Sequence, residues 1–140
     1  MSDSKLRVLV ADDHELSRWA IGRLLSIKFE VVGVVADGRK LVDAAAILLP
    51  DVIVSDVSMP LLSGPQAMEE LKRKGHKIPF VLVSVDPTSA EEYVRRGAAA
   101  FVEKVDLGRD LVPAVCSAAL GNTDVSNPLF HSAFECSVTS

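Results

Sequence analysis

The sequence predicts an α/β fold, a doubly wound five-stranded parallel sheet flanked by five helices. Three observations carry that prediction. Short continuous apolar runs such as Phe80-Val-Leu-Val alternate five times with stretches of helical periodicity. Such runs suit strands covered on both faces, the usual setting of a parallel sheet. Two of the runs end in carboxylates, Asp12-Asp13 and Asp56, and open parallel sheets place ligands beyond the carboxyl ends of their strands.

The first strand is expected over Leu6 to Ala11 and the first helix over Glu15 to Phe29, with Leu16, Ala20, Leu24 and Ile27 at helical spacing. Strands then follow at Val31 to Ala36, Val52 to Ser55, Phe80 to Ser84 and Ala100 to Val102. The intervening helices span Arg39 to Leu49, Pro65 to Lys74 and Ser89 to Arg96, and Pro65 suits a first helical turn. The last helix is expected over Gly108 to Leu120. Pro113 would remove a backbone hydrogen bond there, which favours a late start near Asp110. Gly38, Gly64, Gly75, Gly97 and Gly121 fall near element ends, as turn and cap residues do, whereas Gly33 lies unexplained inside a strand.

At 140 residues the chain supports one domain. We expect it over residues 5–121, with 122–140 as a tail or linker. Only Leu129, Phe130 and Phe134 of that tail are equipped to dock, as an extra helical turn. A net charge of −4 argues against non-specific nucleic-acid binding, which needs surplus Lys and Arg. Cys116 and Cys136 lack the spacing of a zinc motif and read as reduced thiols. No signal core or stretch of about 20 apolar residues occurs, so a cytoplasmic protein with no membrane partner is expected.

In this topology Asp12, Asp13, Asp56, Ser84 and Lys104 converge on one edge of the sheet. Three adjacent carboxylates repel one another and take up protons unless a cation compensates them. A hard divalent ion with oxygen ligands does this, and Mg2+ is the natural candidate. Such a site suits phosphoryl transfer, where catalysis is largely positioning and charge stabilisation. Asp56 is accordingly assigned as nucleophile and phospho-acceptor, and Asp12 and Asp13 as metal binders. Lys104 supplies a cation and Ser84 a hydroxyl to the phosphoryl oxygens.

These residues, with Met59-Pro60 and Gly64 after Asp56 and the Phe101-Val-Glu-Lys104 run, resemble the receiver domain of two-component response regulators over Leu6 to Gly121. Asp12-Asp13-His14, Asp37-Gly38 and Leu111-Val-Pro-Ala are most similar to receivers that precede a helix-turn-helix output domain. The resemblance implies a flavodoxin-like strand order of 2-1-3-4-5. It also implies a sensor histidine kinase or phosphotransfer protein as phosphoryl donor, and the Ser58 carbonyl as a further metal ligand. Ser84 and Phe101 would form a switch that reshapes the surface of the fourth helix, fifth strand and fifth helix, where a homodimer could also form.

Two positions depart from that pattern. Val85 stands where a small residue is usual and is expected to slow dephosphorylation, while Val105 replaces a proline, so a cis peptide after Lys104 is not expected. After Gly121 the chain leaves no room for a helix-turn-helix module, which reads as a stand-alone receiver or one whose output domain was lost or removed. No direct DNA binding is therefore expected.

Single residues have plainer roles. Asp37 and Asp106 read as helix caps, His76 and His131 as solvated, and His14 as a start-of-helix residue near a kinase-docking surface rather than a metal ligand. Arg18 and Trp19 join that surface, with core packing the alternative for Trp19. Beyond the acceptor aspartate nothing binds or transforms a substrate, so a metabolic enzyme is not expected. A phosphatase of the haloacid dehalogenase type would need an acid where Ser58 stands, and a flavodoxin-like cofactor site would be repelled by Asp12-Asp13. The remaining alternative is a phosphorylation-independent interaction or dimerisation module.

Overall fold

The computed structural model describes residues 5–121. The strands are β1 (Arg7–Ala11), β2 (Glu30–Val35), β3 (Val52–Asp56), β4 (Phe80–Ser84) and β5 (Ala100–Glu103). Between and after them run α1 (Glu15–Ser26), α2 (Gly38–Leu48), α3 (Gly64–Arg73), α4 (Ala90–Arg95) and α5 (Leu107–Gly121), with a short 3-10 turn at Lys104–Asp106. All strands pair in parallel in the order β2-β1-β3-β4-β5, as expected. The order reverses at β1, so α1 and α5 cover one face of the sheet and α2, α3 and α4 the other.

Alternation along each strand builds two cores. Val8, Val10, Val54, Val81 and Val83 face one way and pack with Ile21 and Leu25 of α1 and Leu111 and Val115 of α5. Leu9, Ala11, Ile53, Phe80 and Leu82 face the other way, onto Leu41 of α2 and Met68 and Leu71 of α3. Each of the Val, Leu, Ile, Phe and Met side chains among them contributes roughly 1.5–3 kcal/mol by leaving water. The apolar strand runs are thus continuous because both faces are covered.

Local chemistry sets the helix ends. Asp37 caps α2 by accepting from the Lys40 amide at 2.7 Å, as expected. Ser63 and Gln66 form a reciprocal capping box at the start of α3, with Pro65 in its first turn. Asp106 instead pairs with Arg109 at 3.4 Å. Gly33 is explained by a register shift in the β1–β2 pairing between Val8 and Leu9, where Leu9 pairs with Gly33. A methyl group at Gly33 would come 3.0 Å from Leu9 Cδ1.

Three expectations need correction. Of the apolar series proposed for α1, only Leu24 packs against the core: Leu16 and Ile27 are 82% and 74% exposed, and Ile21 and Leu25 are the buried pair. The two series lie on neighbouring stripes of one helix, so periodicity alone could not choose between them. The fifth helix begins at Leu107, not near Asp110, and contains Pro113. That proline lies on the solvent side, where water can satisfy the carbonyl it leaves without a partner. Cys116 is buried and disulfide-bonded rather than a reduced thiol. Cys136, the Leu129, Phe130 and Phe134 trio and His131 lie outside the described residues. Among the described residues no helix is long and apolar enough to cross a membrane.

Candidate phosphoryl-acceptor site

The β1–β3 register aligns Ala11 with Ser55, so Asp12 and Asp56 emerge side by side at the carboxyl edge of the sheet. Both are buried, Asp12 completely, while Asp13 in the following turn is partly open to solvent. Lys104 follows β5, two strands from β3, and its ammonium reaches back over the end of β4. Lys104 Nζ lies 3.2 Å from Asp56 Oδ2 and 3.0 Å from Asp12 Oδ2. The peptide bonds here are trans, and Val105 is 84% exposed without displacing Lys104 from the carboxylates.

The acidic loop is pinned by its neighbours. Asp12 Oδ1 accepts from the His14 amide at 2.8 Å, and the Asp12 carbonyl accepts from the Arg18 guanidinium at 2.9 Å. The Ser58 amide donates to Asp56 Oδ1 at 3.3 Å. Behind β3, α3 begins so close that a methyl group on Gly64 would overlap the Asp56 carbonyl and come 2.9 Å from Ser55 Oγ. Gly64 is required there for close approach.

Burial pushes the Asp56 carboxyl above its ordinary value, and the Asp12 charge adds to this; the Lys104 ammonium and the Ser58 amide oppose it without cancelling it. Lys104 is shifted upward: burial alone would lower it, but its pairing with Asp12 and Asp56 outweighs that cost. One ammonium therefore does not fully compensate the acidic group. Asp12 Oδ2 is buried without an aligned hydrogen bond, its close neighbour being Lys104 Nζ. A buried carboxylate that shares one ammonium with Asp56, beside the further carboxylate of Asp13, is a donor set that fits a hard divalent cation such as Mg2+.

Asp12, Asp13, Asp56 and Lys104 are thus brought together. Ser58 contributes its amide. Ser84 Oγ accepts from the Asp86 amide at 3.1 Å at the end of β4. Phe101 is half-buried and stacks on Tyr93 of α4, with ring centroids 6.4 Å apart. Trp19 is 64% exposed with the Arg23 guanidinium 5.3 Å over its ring, which settles against core packing. Sequence reasoning missed Ser17, whose hydroxyl accepts from Lys104 Nζ at 3.3 Å, and the tie from Arg18 to Asp12. It also set His14 aside, although its Nδ1 lies 3.2 Å from Asp13 Oδ1. Adjacency to Asp12-Asp13 was the available signal for His14; nothing in the sequence pointed to Ser17.

The family model of the response regulator receiver domain matches residues 8–115. The chain belongs to the response regulator receiver family. Among relatives of this receiver, the probable transcriptional regulatory protein NarL of Mycobacterium tuberculosis is 32% identical over 129 residues, covering 89% of this chain and 60% of NarL. The transcriptional regulatory protein DegU of Brevibacillus brevis is 27% identical over 135 residues, covering 94% of this chain and 57% of DegU. A protein-glutamate methylesterase/protein-glutamine glutaminase of Geobacillus kaustophilus is 35% identical over 105 residues, covering 71% of this chain and 30% of that protein. The receiver chain thus spans between about a third and 60% of these relatives' own length. The signal receiver domain of M. tuberculosis NarL superposes with a TM-score of 0.79 at 32% identity, covering 85% of this chain and 99% of that one. The response regulator domain of Thermotoga maritima CheB gives 0.75 at 28% identity, covering 86% and 98%.

Proposed function

We propose that this chain is a phosphorylation-controlled switch in which Asp56 accepts a phosphoryl group from the phosphohistidine of a sensor histidine kinase or phosphotransfer protein. The observation that carries the reading is the buried Asp56 carboxylate, set between the Asp12 carboxylate and the Lys104 ammonium. An Asp56 oxygen attacks phosphorus, the phosphorus–nitrogen bond to the donor breaks, and an acyl phosphate forms. Lys104 neutralises charge on the transferred group, and the Ser58 amide orients the carboxylate. Mg2+ held by Asp12, Asp13, Asp56 and the Ser58 carbonyl would supply the charge that lets a phosphoryl oxygen approach these carboxylates. The chain's own chemistry is limited to gaining and slowly losing that phosphoryl group, in the cytoplasm.

Ser84 Oγ then leaves the Asp86 amide and donates to a phosphoryl oxygen, and Phe101 leaves its stack on Tyr93 to turn inward. This reshapes the α4–β5–α5 surface, where Val94 and Val105 are exposed to meet a partner or a second copy. The switch is tested by amide NMR with beryllium trifluoride and Mg2+. Shifts extending from Asp56 through Ser84 and Phe101 to α4 and α5 support it. Shifts confined to the loops of Asp12, Asp13 and Asp56 would contradict it.

A further inference from the structure

His14 stands at the N-cap position of α1, yet its side chain makes no capping hydrogen bond. Its imidazole turns to the acidic group instead. Nδ1 lies 3.2 Å from Asp13 Oδ1, 3.5 Å from Asp12 Oδ1 and 3.6 Å from Asp56 Oδ2. Sharing among three oxygens differs from one aligned hydrogen bond. Adjacent ligands in an octahedron with bonds of about 2.1–2.3 Å lie roughly 3 Å apart, and opposite ones about 4.4 Å. One donor atom from each of Asp12, Asp13, His14 and Asp56 lies within 4.8 Å of all the others. The group is therefore close to the dimensions of one coordination sphere, and the fully buried Asp12 carboxylate belongs to it, with Oδ1 toward His14 and Oδ2 beside Lys104 Nζ.

We propose that His14 supplies a nitrogen ligand to the cation site, so that the site takes a first-row divalent transition ion in preference to Mg2+. The inference rests on the reading of Asp12, Asp13 and Asp56 as a cation site. A divalent ion and Lys104 together balance three carboxylates, so a neutral fourth ligand adds affinity without adding charge. Mg2+ favours oxygen donors and retains its waters, whereas imidazole is a better ligand for the transition ions that follow it in affinity. The His14 side chain is 66% exposed, which leaves it free to complete the coordination.

Mn2+ tests this, because it accepts oxygen and nitrogen donors and is paramagnetic. Wild-type protein, His14→Ala and His14→Gln are titrated with Mn2+ and Mg2+ by calorimetry, and the bound Mn2+ is examined by pulsed electron paramagnetic resonance. The expected result is a 14N coupling in the wild type that both variants lose, with a preference for Mn2+ over Mg2+ that falls about tenfold or more in each. A Mn2+ signal with oxygen ligands alone in the wild type, or a nitrogen coupling that persists in the variants, overturns the inference. If that happens while Mg2+ binds and Asp56 still accepts phosphate, the function proposed above stands without it. If neither ion binds, both fall.

Discussion

Lys104 Nζ and Asp56 Oδ2 meet at 3.2 Å although β4 lies between the strands that carry them. The contact therefore depends on the registers of β3–β4 and β4–β5 together, and under the proposed function it sets a cation where charge would develop during phosphoryl transfer. Removing one preorganised donor of this kind typically costs about 10²–10³ in rate. Lys104→Ala should slow phosphorylation of Asp56 by about that factor in an acetyl phosphate time course. Lys104→Arg should recover little, because a planar guanidinium does not reproduce a compact ammonium touching two carboxylates.

The upward shift of Asp56 fixes a pH dependence of stability. A carboxyl raised on folding binds its proton more tightly in the folded state than in the unfolded chain. Its contribution is fully present below the ordinary value of 3.8 and is lost as pH rises through the higher folded value. At neutral pH without added metal, Asp56→Asn should therefore raise the melting temperature by on the order of a few degrees. The advantage should vanish in acid. Melting curves from acid to neutral pH check the sign; an equal gain at every pH would contradict it.

Two glycines should respond in opposite directions. Gly64→Ala forces a methyl group onto the Asp56 carbonyl, and overpacking of this kind costs about 1–3 kcal/mol. It should also slow phosphorylation by displacing the acceptor. Gly22, inside α1, has nothing within 4 Å of an added methyl group, so Gly22→Ala should stabilise by roughly 0.5–1 kcal/mol. Denaturant midpoints of the pair measure both.

Val85 is 79% exposed beside Ser84, in the loop that follows β4. We expect its branched side chain to hinder water reaching a phosphorylated Asp56. Val85→Ala should lose phosphate severalfold faster, followed by intact mass after removal of the donor. An unchanged half-life would remove Val85 from the explanation.

Alternation and strand length made the sheet and its helices legible, because continuous apolar runs have few uses other than strands covered on both sides. The carboxylates were legible because they terminate those runs. Contacts that depend on side-chain direction were not. Leu16 and Ile27 shared the helical period of α1 but not its buried face, and Ser17 joined Lys104 only through the reach of the Lys104 side chain back over the end of β4. Gly33 looked anomalous until the register shift beside Leu9 gave it a cause. Pro113 was misjudged because the sequence does not show which carbonyls face water.

The most direct measurement is intact mass after incubation with acetyl phosphate and Mg2+, beside Asp56→Asn and a chelator control. Phosphoryl acceptance at Asp56 predicts one added phosphoryl group in the wild type and none in either control. No addition to the wild type, with Mg2+ binding separately confirmed, would contradict it and favour a receiver fold that works without phosphorylation.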